Sequence, residues 1–321
     1  MDRLDLKILS ELQNKGYQKS SLLAQQFGVG SRTINRRIAK MKEEGSIQII
    51  AIPNPIIAGH RAWAKVGILA EPRSLGNIAY KLVKHPAIYF VAYTAGKFDM
   101  EIVVQLDDLD SLSKLVNLEI ASYKGVLSTE TIIMVWPVKF YNFFWPIQYY
   151  IKNAGKRGND ANYNGYNIDE IDRKILYILN RDAFTSIKEI KSKLDIGESA
   201  IRSRIRIMDK HNVFKTVVLP GPKVLESEIW VSIGLITDGV LIEEIIDKII
   251  ENDSVYFVSL ALGRRNLLVA ARFGDMENYE RFVNQELGKI KGIINIEKYI
   301  YTKLLKYYTY DLINTKGKES L

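Results

Sequence analysis

The sequence predicts an α+β chain made of two tandem copies of one two-part unit. Three observations carry that prediction. The chain matches itself at an offset of 167 residues. Each copy opens on apolar residues spaced by threes and fours, the period of amphipathic helices. Each copy then changes to alternating apolar runs with helical stretches between them.

The repeat is dense. Leu4–Pro55 lies over Ile171–Pro222, so that LDLKIL meets IDRKIL and Leu12 meets Leu179. Gly30 meets Gly197, and Ile34, Arg37, Ile38 and Met41 meet Ile201, Arg204, Ile205 and Met208. Downstream, Gly67 meets Gly234, Tyr89-Phe90-Val91 meets Tyr256-Phe257-Val258, and Gly96 meets Gly263. The period is too long for a solenoid, so it reads as duplication of a whole two-domain protein.

Three helices fit residues 1–45. The first covers about 2–14, with Asp2 as N-cap and Leu6, Leu9 and Leu12 inward. The second covers 20–27 and ends at the turn Gly28-Val29-Gly30. The third is SRTINRRIAKMKEEG, with Ser31 in the N-cap position and Gly45 at the stop. On a wheel, Ile34, Ile38 and Met41 share one face, and Arg32 and Arg36 lie opposite. Two short helices joined by a glycine turn, the second basic, form the helix-turn-helix plan. Ile47–Ile52 reads as a strand leading to a hinge at Pro53 and Pro55. The second copy repeats the helices at 169–182, 186–194 and 198–210, with the turn at Asp195-Ile196-Gly197.

In the second part, Ala62–Ala70, Ala87–Ala95, Phe98–Leu106 and Val126–Val135 read as strands, and Leu75–Lys84 and Leu109–Ala121 as helices. The order βαββαβ is the ferredoxin-like plan. The second copy runs in the same order from Ile229 to about Tyr301. Such a sheet has one helix-covered face and one bare face. EIVVQL and LLVAAR are apolar enough to need cover, and the simplest cover is the other copy. The expected domains are helix-turn-helix (winged) domains over 1–52 and 167–219 and ferredoxin-like domains over 61–137 and 228–310. An aromatic tail and a Gly/Asn-rich linker span 138–166.

Composition narrows the function. The 321 residues carry a net charge of +8, which favours a polyanionic partner. No cysteine is present, which removes thiolate chemistry and fits a reducing cytoplasm. The N-terminus is an amphipathic helix rather than a signal peptide. The most apolar run, 132–151, is broken by Pro137, Lys139 and Pro146, so no membrane span is expected. The three histidines, His60, His85 and His211, are not repeated at the offset and form no metal-ligand or nucleophile spacing. No phosphate-cradling glycine loop occurs. No catalytic residue, metal or cofactor is therefore expected.

In a helix-turn-helix the second helix enters the major groove, N-terminal residues first. Arg can fork onto guanine and Asn can pair with adenine. The expected contacts to double-stranded DNA are Ser31, Arg32, Thr33, Asn35, Arg36, Arg37 and Lys40, with Arg202, Ser203, Arg204 and Arg206 in the second copy. Lys40 suits a phosphate, and Arg37 either reaches a phosphate or pins the helix. Glu198, in place of Ser31, puts a negative charge where phosphate would approach.

The run LDLKILSELQNKG…LAQQFGVGSRTINRRIAKMKEEGSI, followed by a βαββαβ domain carrying TAGKFD at 94–99, resembles the Lrp/AsnC family of transcription regulators. The resemblance covers nearly the whole chain, twice. It implies DNA binding, pairing of ferredoxin-like sheets back to back, a homodimer or higher oligomer, and a small effector, commonly an amino acid. It places the effector near a Gly-x-x-Asp turn, here Gly96 and Asp99, with Thr94 beside it. The alternative is that Gly96 only makes a hairpin and Asp99 only satisfies it. The second copy reads Gly263-Arg264-Arg265-Asn266, whose charges suit an anion better than an amino acid. Two other readings stay open. One is an architectural DNA-binding protein of low sequence preference. The other is an enzyme resembling the sirohaem decarboxylases, which share this architecture.

Overall fold

The computed structural model describes residues 2–15, 19–53, 62–140, 143–144, 166, 168–221, 225–308 and 310–311. The hinge after Pro53, and most of the aromatic run and linker read from the sequence, lie outside those residues. The chain forms two compact units, each drawing on both copies of the repeat.

One unit gathers both helix-turn-helix parts. Helices α1 (Arg3–Lys15), α2 (Ser20–Phe27) and α3 (Ser31–Glu43) precede strand β1 (Ile47–Pro53). Asp2 caps α1, its Oδ1 accepting from the Leu4 and Asp5 N–H groups at 2.8 and 3.0 Å. Ile8, Leu9, Leu12, Leu23, Ile34, Ile38 and Met41 form the core. Leu6 was expected inward but is 54% exposed, because the inner stripe of α1 centres on Ile8, Leu9 and Leu12 and leaves Leu6 at its edge. Gly28 closes α2 with φ of 67°, a left-handed conformation that glycine adopts without steric cost. Ser31 is not the N-cap of α3: extended Gly30 holds that position, and Ser31 is the first helical residue.

The second copy gives α6 (Glu170–Leu179), α7 (Ile187–Lys193), α8 (Glu198–Lys210) and β7 (Phe214–Pro220). β1 and β7 pair antiparallel from Ile47↔Pro220 to Pro53↔Phe214. Ile50 pairs with Val217, its own equivalent at the repeat offset, so a pseudo-two-fold axis passes between them. Further bonds tie the two copies together. Lys42 Nζ lies 2.9 Å from Asp182, Gln48 Nε2 donates to the Arg181 carbonyl, and Asn180 Nδ2 donates to the Ala51 carbonyl.

The other unit gathers both ferredoxin-like parts. The first has β2 (Ala62–Ala70), α4 (Leu75–Lys84), β3 (Ile88–Ala95), β4 (Met100–Leu106), α5 (Leu109–Ser113) and β5 (Val126–Phe140). The expected helix 109–121 is regular only in α5 and continues as a π turn and a 3-10 turn. The second has β8 (Ile229–Thr237), α9 (Ile242–Ile250), β9 (Val255–Leu262), β10 (Leu267–Phe273), α10 (Met276–Arg281) and β11 (Ile293–Tyr307). Each sheet buries an apolar core under its helices; in the first, Val66, Ile68, Ile102 and Val104 pack on Ile78, Leu82, Leu115 and Val116.

β5 and β11 are each 15 residues long, so β5 runs past the expected end at Val135. Their first parts pair inside their own copy, β5 with β2 and β11 with β8. Their second parts cross to the other copy, β5 to β9 and β11 to β3. The strand order β3-β4-β2-β5-β9-β10-β8-β11 therefore closes on itself through the β11–β3 pair. Closure gives each of these strands a hydrogen-bonded neighbour on both sides, over part of its length in β5 and β11. Two lysines reinforce the crossing. Lys139 donates to the Ile250 and Asn252 carbonyls at the end of α9, and its equivalent Lys306 donates to the His85 carbonyl at the end of α4. A cation at a helix C-terminus satisfies orphan carbonyls and the helix dipole. Among the described residues no helix is long and apolar enough to cross a membrane.

Candidate nucleic-acid interface

The candidate interface begins with α3. Ile34, Ile38 and Met41 are buried, which fixes the rotation of the helix and turns its other side to solvent. Arg32, Asn35, Arg36 and Lys40 are exposed, and Thr33 is half-buried beside them. Lys40 Nζ lies 3.7 Å from Glu44, a loose pair between exposed groups. With no acidic residue in its first turn and no side-chain cap, α3 begins with backbone N–H groups that no side chain receives, at Ser31 and Arg32, before Thr33 and Ile34 bond the Gly30 carbonyl.

Arg37 sits apart from that set. Its Nη1 lies 2.6 Å from Asp2 Oδ2 and 2.7 Å from Asp5 Oδ1, the carboxylates that cap α1. These two hydrogen bonds raise the Arg37 pKa further. Asp2 is pushed down to about 2, first by the Asp5 backbone N–H and next by Arg37. The second copy builds the same triplet. Arg204 Nη1 lies 2.6 Å from Asp169 Oδ2 and 2.8 Å from Asp172 Oδ1. Arg37 thus pins α3 to the cap of α1, and Arg204 pins α8 to the cap of α6. The signal was present in the sequence, since LDLKIL over IDRKIL aligns the carboxylates as the offset aligns the arginines.

On α8 the outer face is different. Arg202 and Arg206 are exposed and Ser203 is half-buried. At the repeat offset, Ser199, Ala200, Arg202 and Ser203 stand where α3 has Arg32, Thr33, Asn35 and Arg36. Glu198 is the first helical residue, and Lys191 Nζ lies 3.9 Å from its carboxylate. The two helices therefore present unlike hydrogen-bonding faces.

The turn after β3 holds the residues expected near an effector. Gly96 has φ of 153° and sits against the Tyr299 ring, where a Cβ would come within 2.8 Å. Asp99 Oδ2 accepts the Ala70 N–H at 2.8 Å, and Thr94 Oγ1 donates to the Phe98 carbonyl. Asn266 repeats the Asp99 role, its Oδ1 accepting the Thr237 N–H at 2.9 Å. Arg264 and Arg265 of the second turn already face carboxylates. Arg264 lies 3.1 Å from Glu297, and Arg265 meets Glu297 and lies 3.0 Å from Glu130. His85 is held at the end of α4, where Nδ1 accepts the Ala87 N–H and Nε2 lies 3.8 Å from Glu119. His60 lies outside the described residues. Among the described residues no group of three or more His, Asp or Glu side chains is placed to hold a metal ion.

Comparison with known proteins follows the same division. A winged helix-turn-helix DNA-binding model matches residues 1–48, and an AsnC-type helix-turn-helix model matches 168–209. The Lrp/AsnC ligand binding domain matches twice, at 64–141 and 231–310. An uncharacterised HTH-type transcriptional regulator of Pyrococcus furiosus is 30% identical over 141 residues, 44% of this chain and 95% of the relative. The HTH-type transcriptional regulator FL11 of Pyrococcus horikoshii is 30% identical over 136 residues, 42% of this chain and 89% of the relative. These relatives match one copy's worth of the chain. A solved siroheme decarboxylase, NirDL, shares the fold across both copies, with a TM-score of 0.63 over 96% of this chain and 94% of that one. Its sequence identity is 14%, a likeness of fold.

Proposed function

The chain belongs to the Lrp/AsnC family of transcription regulators, and from that premise we propose that it reads an asymmetric site on double-stranded DNA with two unlike helices. One observation carries the proposal: α3 and α8 belong to one unit joined by the β1–β7 ribbon, yet their outer faces differ. Family members built from identical subunits present two copies of one helix to a palindrome. Here Arg32, Thr33, Asn35 and Arg36 read one half-site, with Ser31 and Lys40 on phosphate. Arg202, Ser203 and Arg206 read the other. Arg37 and Arg204 act by holding those helices in place.

In this reading the protein binds rather than catalyses. A small effector, an amino acid in the first instance, is met at the turn of Thr94, Gly96 and Asp99, where the carboxylate would receive an ammonium group. Further association of chains through their ferredoxin-like parts belongs to the same proposal.

Selection of bound genome fragments, followed by mobility shifts of enriched and scrambled DNA at one salt concentration, tests it. An enriched site with unlike halves is expected. Arg36→Ala should weaken specific binding by roughly 1–3 kcal/mol while leaving non-specific binding nearly unchanged. Equal affinity for enriched and scrambled DNA would reject sequence reading and leave a low-specificity architectural protein.

A further inference from the structure

The ring of strands packs the bare face of one ferredoxin-like copy on the bare face of the other, and polar groups are buried in that seam. Lys65 Nζ donates to Ser232 Oγ, and these two positions are equivalents at the offset of 167. They therefore mark the pseudo-two-fold axis of this unit. Lys65 Nζ also lies 3.2 Å from Glu101 Oε2, and the Tyr301 hydroxyl donates to that same oxygen at 2.8 Å. Lys65 is 7% exposed and Glu101 3%. At the offset, Glu101 corresponds to Leu268 and Tyr301 to Met134, both buried. Farther out, Arg265 reaches across to Glu130, while its equivalent, Phe98, stacks near Tyr299. Gly67 and Gly234 leave the room: a Cβ would lie 2.3 Å from the Phe98 ring and 2.0 Å from Arg265 Cδ.

These groups complement one another only between unlike copies. Two first copies paired face to face would bring two Lys65 side chains to the axis. Each Glu101 would then face Met134, which donates no hydrogen bond, and each Glu130 would face Phe98. Two second copies would place Ser232 against Ser232, too small to fill the axis, and Tyr301 against Leu268, which accepts nothing. Each Glu101 would keep its own Lys65 but lose the Tyr301 donor, and each Tyr301 would lose the Glu101 acceptor, and a buried polar group stripped of a partner pays a desolvation cost. Specificity of this kind comes from penalties on the wrong pair as well as contacts in the right one.

We propose that Lys65, Glu101 and Met134 on one face and Ser232, Leu268 and Tyr301 on the other form a pairing code that makes each copy accept the unlike copy and reject its own kind. The inference concerns this chain's own interface and does not depend on the DNA reading. Copies of such a chain meet through surfaces other than these two faces.

A cysteine pair reads the pairing directly, since the chain has no cysteine of its own. Ile133 and Leu262 are register partners on β5 and β9, so Ile133→Cys with Leu262→Cys reports the unlike pair as an intrachain disulfide. In this background the code is changed three ways in the full chain. Lys65→Ser, Glu101→Leu and Met134→Tyr make both faces second-like. Ser232→Lys, Leu268→Glu and Tyr301→Met make both first-like. All six together exchange the faces. Oxidised samples are resolved by non-reducing denaturing electrophoresis. The expected result is a loss of about tenfold in intrachain cross-linking for either one-sided set, and recovery to within about twofold for the exchange. One-sided sets that cross-link like the parent would overturn the code. So would a six-fold exchange that fails to recover, since it restores every pair the code contains.

Discussion

Gly221→Ala tests the ribbon that joins the two helix-turn-helix parts. A Cβ on Gly221 would lie 1.9 Å from the Gly45 carbonyl oxygen and 2.8 Å from the carbonyl carbons of Gly45 and Ser46. All three atoms are backbone, so no side chain can swing aside. An ordinary contact begins near 3.4 Å, which requires the two backbone segments to part by about 1.5 Å. The Gly221 N–H donates to the Ser46 carbonyl at 2.8 Å in the same place, next to the terminal ribbon pair Ile47↔Pro220. Overpacking of this kind costs about 1–3 kcal/mol, and loss of the hydrogen bond adds about 0.5–1.5 kcal/mol. A total near 2–4 kcal/mol is expected in urea unfolding followed by circular dichroism. Gly239→Ala is the control, because nothing lies within 4 Å of its Cβ, and it should stay within about 0.5 kcal/mol. Mobility shifts on the selected site should show weaker binding for Gly221→Ala, because one helix is tilted against the other. Unfolding and binding curves that superimpose on those of the parent would refute this account of the ribbon.

Two further predictions concern pH. Asp2 is held at about 2, against 3.8 when unconstrained, so its contribution to stability is present above pH 3.8 and lost as pH falls toward 2. Arg37→Ala removes one of its partners, and carboxyl NMR titration should find Asp2 moved upward with a shallower fall in stability across that window. Burial lowers Lys139 to about 8 from 10.5. The unfolded chain therefore binds more protons between those values, and stability rises with pH across them. Lys139→Met should flatten that rise in denaturation series run from pH 7 to 11, leaving the slope elsewhere unchanged.

Local pattern carried much of the architecture. Strand Ala62–Ala70 and helices Leu75–Lys84, Ser20–Phe27 and Glu198–Lys210 form with the bounds their periodicity suggests. Glycine punctuation was equally legible: Gly45 ends α3 at φ of 65°, and its equivalent Asn212, which carries no such obvious mark, does the same for α8 at 54°. Non-local features were not legible. The second half of β5 is strand because β9 lies beside it, and residues 136–140 contain no sign of that neighbour. Ser31 looked like a cap because its side chain suits one, yet the chain turns into helix at Gly30. Charges misled in a similar way. Arg264 and Arg265 read as open cations, but their carboxylates arrive from other strands, Glu130 of β5 and Glu297 of β11. Lys65 is buried beside Glu101 of the neighbouring strand, a partner that the alternation of its own strand does not name.

The seven-residue register of β1 against β7 has a consequence for dosage. Two reading heads made as separate subunits fall apart on dilution, and their paired form scales with the square of copy number when scarce. Heads carried on one polypeptide meet at a local concentration fixed by the chain, whatever the cell contains. For a single chain acting through its two heads, site occupancy would follow the first power of expression. A gene present at a handful of molecules per cell would still deliver every one of them as an assembled pair. Each head would also be free to mutate without changing its partner.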